Sequence, residues 1–247
     1  MENNFLFGKP LTVKEWLNSE EVKKLQSISP REFVEVWFNR MPIRPTYQKS
    51  DLIYTPVDGI LTHIGLFDKD KDIFNIKGIE YNLEDIVGFE LTEKKYYVAG
   101  IFLTAFSVHL ARFPISGIIK EIIDLPPILT GNQSMIPAEY NLINKKKIVS
   151  EDYKFVYYNQ RKVYVLYEPV NKMYVYYVSI SDREVNSLLD FCSEKEIVRQ
   201  GQRMQFITWG SYALLIIPKK KHYKLTPLVE PFHYLYSPIH PIFKVSH

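Results

Sequence analysis

The spacing of apolar and polar residues changes once along the chain, near residue 50. Before that point Trp16, Leu17, Val22, Leu25 and Ile28 follow a helical stripe, and Thr12 with Glu15 forms a capping box ahead of them. Ser29-Pro30-Arg31-Glu32 then supplies an N-cap, a proline at the first helical position and a second capping-box glutamate. Phe33, Val34, Val36, Trp37 and Phe38 follow, up to Pro42. Two helices are predicted. Beyond Leu52 the pattern becomes short β-branched and aromatic runs between turn residues. Strands are predicted over 96–106, 153–158, 162–167, 173–179 and 212–217, with Asn159-Gln160-Arg161 and 169–172 as hairpin loops. Residues 68–72 form a charged loop, and Pro126-Pro127 marks another break. One stretch reads two ways: Ser181-Asp182-Arg183-Glu184 resembles a capping box opening a helix through Leu189, whereas the resemblance drawn below makes it a strand. No repeat, low-complexity tract or linker interrupts the pattern. The expected fold is α+β, mainly antiparallel β, a single domain over residues 1–247 with N-terminal helices.

Composition supports the strand reading, since 18 Tyr and 15 Phe stand against only 10 Gly. A net charge of +3 is too small to imply nucleic acid, and no recognition helix or RNA-binding aromatic motif occurs. Cys192 is the sole cysteine, so no intramolecular disulfide can form and a reducing, cytoplasmic setting is expected. Within Leu188-Leu189-Asp190-Phe191-Cys192 it reads as packing rather than as a nucleophile. Met1-Glu2-Asn3-Asn4 does not open a signal peptide, and the longest apolar segment, 98–110, is short of the ~20 residues of a spanning helix. Contact with a membrane would be peripheral. Trp16, Trp37 and Phe38 could serve such a surface, although an apolar stripe more often packs inward. His233, His240 and His247 recur among prolines without a metal-ligand spacing, so no metal is expected.

Four separated segments carry the chemistry. The first joins Phe38-Asn39-Arg40 and Arg44-Pro45 to Tyr54-Thr55-Pro56-Val57-Asp58-Gly59. The second is Ile76-Lys77-Gly78-Ile79-Glu80-Tyr81-Asn82-Leu83 with Gly88, and the third runs from Phe102-Leu103 through Val108-His109-Leu110-Ala111-Arg112-Phe113-Pro114-Ile115-Ser116-Gly117. The fourth is Gly201-Gln202-Arg203-Met204-Gln205-Phe206-Ile207-Thr208-Trp209-Gly210-Ser211. In this order they resemble phosphatidylserine decarboxylases, over residues 29–218. Singly each is weak; together they are specific.

The resemblance implies an enzyme that cuts itself between Gly210 and Ser211, leaving fragments 1–210 and 211–247. Ser211 would attack the Gly210 carbonyl, with His109 as the base that takes its proton and Asp58 orienting that imidazole. Elimination and hydrolysis would then leave a pyruvoyl group, derived from Ser211, as the cofactor. Its carbonyl would form a Schiff base with the substrate amine and accept electrons as CO₂ leaves. Arg112 would meet a substrate carboxylate or phosphate, or form a surface ion pair. The implied substrate is a phospholipid at a peripheral membrane surface, converted to phosphatidylethanolamine, and the implied assembly is a homodimer.

Several positions depart from the family pattern. Ser107 stands where the matching branch has Asp, Tyr212 where Thr follows the cleavage serine, Gln205 in place of a glycine, and Val178-Ser179 in place of Val-Gly-Ala. These keep two alternatives open: a pyruvoyl decarboxylase of a soluble amino acid, and a non-enzymatic relative in which Tyr212 blocks cleavage. Lys219-Lys220-Lys221, with His222 and Lys224, reads either as a contact to anionic headgroups or as a solvated loop.

Overall fold

Side-chain caps set the N-terminal helices. In the computed structural model, which describes residues 8–38, 40–70, 74–76, 79–127, 136–144, 146, 159–182, 188–207 and 210–247, the predicted capping box is present. The Glu15 N–H donates to Thr12 Oγ1 at 3.2 Å, and the Thr12 N–H donates to Glu15 Oε2 at 2.7 Å. Helix α1 (Val13–Leu17) follows, but the apolar stripe is not one helix. Asn18 ends α1, and Ser19 caps a new helix, α2 (Glu20–Ser27). Ser29 caps α3 (Pro30–Glu32), which passes into a π-helical segment, Phe33–Phe38. Trp16 is buried and stacks on Tyr234 at 4.1 Å, so it packs inward. The side chains of Trp37 and Phe38 lie outside the described residues.

Among the described residues nine strands form one sheet. They are β1 (Leu11–Thr12), β2 (Gly59–Asp68), β3 (Lys95–Phe102), β4 (Gly117–Leu125), β5 (Arg161–Glu168), β6 (Met173–Ser181), β7 (Ile197–Val198), β8 (Gly210–Pro218) and β9 (His233–Leu235). Their spatial order is β1-β9-β2-β3-β8-β6-β5-β4-β7, and each neighbouring pair is antiparallel. The architecture is therefore α+β and mainly antiparallel, as the sequence predicted.

The central strand β8 shows why its sequence is an unbroken apolar run. Tyr212, Leu214 and Ile216 enter one core, and Ala213, Leu215 and Ile217 enter the other. Side chains alternate across a strand, so only a strand covered on both faces needs apolar residues at every position. Burying each large side chain stabilises by about 1.5–3 kcal/mol. One face is covered by α1, α2 and α4 (Leu83–Val87), through Val13, Trp16, Val22, Ile86 and Val87. The other is covered by two three-stranded sheets. One contains Leu110–Arg112, Arg203–Ile207 and Leu188–Asp190; the other contains Leu52–Tyr54, Pro241–Ser246 and Lys224–Pro227.

Two glycines of the sequence motifs have structural reasons. Gly88 ends α4 in the left-handed conformation, with φ 77°. A Cβ on Gly59 would lie 2.3 Å from the Phe102 carbonyl oxygen, so glycine lets β2 begin against β3 directly after Asp58. The strand predicted over 96–106 stops at Phe102, because Ser107 turns the chain by donating its N–H to the Thr104 carbonyl at 2.9 Å. Leu188–Asp190 is a strand, so no helix runs through Leu189. The strand expected over 153–158 and residues 183–187 lie outside the described residues. Among the described residues no helix is long and apolar enough to cross a membrane.

Candidate active site

The site lies where the chain leaves the strand Arg203–Ile207 and enters β8. β8 pairs Tyr212 with Ile180 and Gly210 with Ser181, so the register passes over Ser211. Ser211 is thus the extra residue of a bulge. Bulges bend a strand and re-aim a side chain, and they are common beside reactive groups.

The next residue, Tyr212, is fully buried. Its hydroxyl meets Thr62 Oγ1 at 2.5 Å, and its ring lies edge-on to Phe102 at 6.3 Å. A Cβ on Gly100 would sit 2.2 Å from that hydroxyl. The bulk of Tyr212 is taken up inside the helix-side core.

His109 is tied to the same crossover. The Ile207 N–H donates to the His109 carbonyl at 2.8 Å, and His109 Nδ1 lies 3.0 Å from the Ile207 carbonyl. Nε2 lies 3.2 Å from the Thr104 carbonyl. Burial lowers the His109 pKa to about 4, although the hydrogen bonds to Thr104 and Ile207 work the other way. The ring is therefore neutral at pH 7 and can donate from one nitrogen only. Both nitrogens face carbonyl oxygens, so one donates its N–H and the other keeps the lone pair that a general base requires.

Asp58 does not orient His109 by a hydrogen bond. Its Oδ1 and Oδ2 accept from Arg44 Nη1 and Nη2 at 2.5 and 2.7 Å, and Oδ1 also accepts from the Ser237 N–H at 2.8 Å. The pair is almost wholly buried, with side chains 1% and 7% exposed. Burial opposes the charge of Arg44, but the adjoining carboxylate outweighs it and raises the Arg44 pKa above its ordinary value. A bidentate guanidinium is a stronger partner for a carboxylate than a neutral imidazole, so Arg44 takes Asp58. Asp58 acts on His109 through space, favouring its charged form. Arg44 appears in the sequence only as part of Arg44-Pro45; nothing in its spacing signals a partner in Asp58.

Arg112 is buried, and among the described residues it forms no ion pair. It donates from Nη1 to the Gly201 carbonyl at 3.0 Å and from Nη2 to the Pro42 carbonyl at 2.8 Å. Burial, with Arg44 and Arg203 near, lowers its pKa to about 10. The departures from the family pattern also have places. Ser107 Oγ accepts from the Thr104 N–H at 3.0 Å and from the Tyr234 hydroxyl at 3.2 Å, fixing the turn that faces His109. Gln205 donates to the Tyr164 hydroxyl at 2.8 Å and to Asp190 at 3.1 Å. Burial pushes the Cys192 thiol up to about 12, which suits packing and not nucleophilic attack.

A neutral imidazole and a buried carboxylate thus lie beside the bulge in the backbone at Ser211. Comparison with known proteins specifies the class. The family model for phosphatidylserine decarboxylase matches residues 33–236, and the chain belongs to that family. A phosphatidylserine decarboxylase proenzyme of Bacillus subtilis is 24% identical over 180 residues, 71% of this chain and 62% of that protein. The proenzyme of Anoxybacillus flavithermus is 24% identical over 220 residues, 87% of this chain and 77% of its own length. For the Escherichia coli proenzyme the figures are 27% over 116 residues, 44% and 36%.

Proposed function

We propose that this chain, acting as one domain at a membrane surface in the cytoplasm, cuts itself before Ser211 and then decarboxylates phosphatidylserine to phosphatidylethanolamine. The observation that carries this reading is the bulge at Ser211, four residues beyond Ile207, whose carbonyl lies 3.0 Å from Nδ1 of the buried His109.

The proposed sequence begins with the Ser211 hydroxyl attacking the Gly210 carbonyl while His109 takes the hydroxyl proton. The acyl group moves from nitrogen to oxygen, and the His109 proton passes to the released amine. Loss of the α-proton then expels the Gly210 carboxylate. Water hydrolyses the resulting dehydroalanine and releases ammonia, leaving a pyruvoyl group at the head of 211–247. That group would supply an electrophilic carbonyl and an electron sink for the loss of CO₂ from an amine-bearing substrate. Asp58, fixed by Arg44, lowers the cost of each imidazolium state of His109 by its field. Arg112 would meet the substrate's anionic group through N–H groups other than those held by Gly201 and Pro42.

The burial of the Tyr212 ring favours this reading over a relative blocked at that residue. Phosphatidylserine in mixed micelles and free serine, assayed side by side for released CO₂, test it. Turnover of the lipid alone is expected. Turnover of free serine alone would assign a soluble amino acid substrate, and no turnover of either would overturn the enzymatic reading.

A further inference from the structure

A continuous set of contacts joins the carboxylate of the site to the turn that faces its imidazole, and it runs through the N-terminal helices. The Arg44 guanidinium, holding Asp58, lies over the Tyr236 ring at 5.4 Å. The Tyr236 hydroxyl donates to Glu21 Oε2, on α2, at 3.0 Å. Glu21 Oε1 accepts from Arg40 Nη2 at 3.1 Å, and the same nitrogen donates to the Phe106 carbonyl at 3.0 Å. Phe106 belongs to the turn whose Thr104 carbonyl faces His109 Nε2. The Phe106 ring is packed by Trp16 at 6.4 Å and by Phe33 at 6.0 Å, so helix residues grip that turn on its apolar side as well.

We propose that Arg40, steered by Glu21, is a positioning residue for His109, holding the 104–107 turn at the place where the imidazole must meet the Ser211 hydroxyl. This rests on the role given above to His109, but the geometry can be tested apart from it. Arg40 touches no reacting atom; it acts through the turn. Its side chain is 15% exposed, and Nη2, fixed in the guanidinium plane, holds the Glu21 carboxylate and the Phe106 carbonyl together. Its charge also reaches the imidazole. Arg40 disfavours protonation of His109 and Asp58 favours it. A single side chain thus holds the turn and adds to the burial that keeps the base neutral.

The test uses the full chain carrying Ser211→Ala, with labelled histidines assigned by a His109→Gln control, so that cleavage plays no part. In Arg40→Met the His109 titration should move upward from about 4. In Arg40→Lys it should stay low. An unchanged titration in Arg40→Met would overturn the proposal. Should Arg40→Met not fold, Glu21→Gln carries the test through amide exchange at Ser107, whose N–H closes the turn. Exchange about tenfold faster is expected, and an unchanged rate would overturn the proposal. With Ser211 restored, Arg40→Met and Arg40→Lys should both slow self-cleavage by tenfold to a hundredfold, roughly what misplacing a reacting group costs. If the parent chain is never cut, the proposed function fails while the titration still decides the role of Arg40.

Discussion

The two ends of strand β8 carry charge in opposite ways. At the Ser211 end Asp58, Arg44 and Arg112 are buried and His109 lies among them, each held by named partners. At the other end Lys219, Lys221 and Lys224 are exposed, and Lys220 pairs with Glu93 at the rim. There a cavity of ≈ 440 Å³ is lined by these lysines with Leu66, Tyr97 and Tyr223. At about 3.3 Å per residue the two ends are roughly 26 Å apart. A buried charge must be matched by a fixed partner, so it carries positional information, whereas a solvated one is screened and tolerates change. A bilayer lying across the lysine end would stand a strand's length from Ser211, which separates any headgroup contact there from the site.

That contrast can be broken first at the base. His109→Ala should slow self-cleavage by roughly 10²–10⁴-fold, the usual share of general base catalysis, as followed by intact mass over time. Arg44→Met should destabilise the fold by about 3–5 kcal/mol, because Asp58 is left buried without its cation; urea unfolding measures this. A third effect is gentler and depends on pH. His63, His109 and His240 have pKa values lowered to about 4, chiefly by burial. In the unfolded chain these imidazoles take protons from about pH 6.5 downward, so the unfolded state binds more protons between 6.5 and 4. Stability should therefore fall as pH drops through that window, seen as a declining Tm. Smallest of all, Lys219→Glu with Lys221→Glu should change stability by about 0.5 kcal/mol or less and leave cleavage unaltered. A large loss of cleavage from that pair would contradict the separation of the two ends.

The sequence made the strands of the central sheet legible because both faces are covered. The runs at 162–167, 173–179 and 212–217 contain few polar interruptions, and they appear as β5, β6 and β8 with only small changes at their ends. Caps were legible too, since Thr12 with Glu15 and Ser29 with Pro30 act within one helical turn. What escaped was longer in range. Arg44 and Asp58 are 14 residues apart in irregular chain, and no periodicity joins them. The triad pattern led from Asp58 to His109, but a guanidinium competes better for a carboxylate. The break between α1 and α2 was hidden because Trp16, Val22 and Leu25 are buried on both sides of it. Tyr212 looked obstructive beside Ser211 until the space beside Gly100 and Thr62 could be seen.

The most direct test of the account is the mass of the purified protein under denaturing conditions, beside a Ser211→Ala control. The account predicts two fragments, 1–210 and 211–247, the smaller headed by a pyruvoyl group, and a control that stays whole. A single full-length mass in both samples after long incubation would contradict it, and would leave the bulge at Ser211 as a feature of the fold without the proposed chemistry.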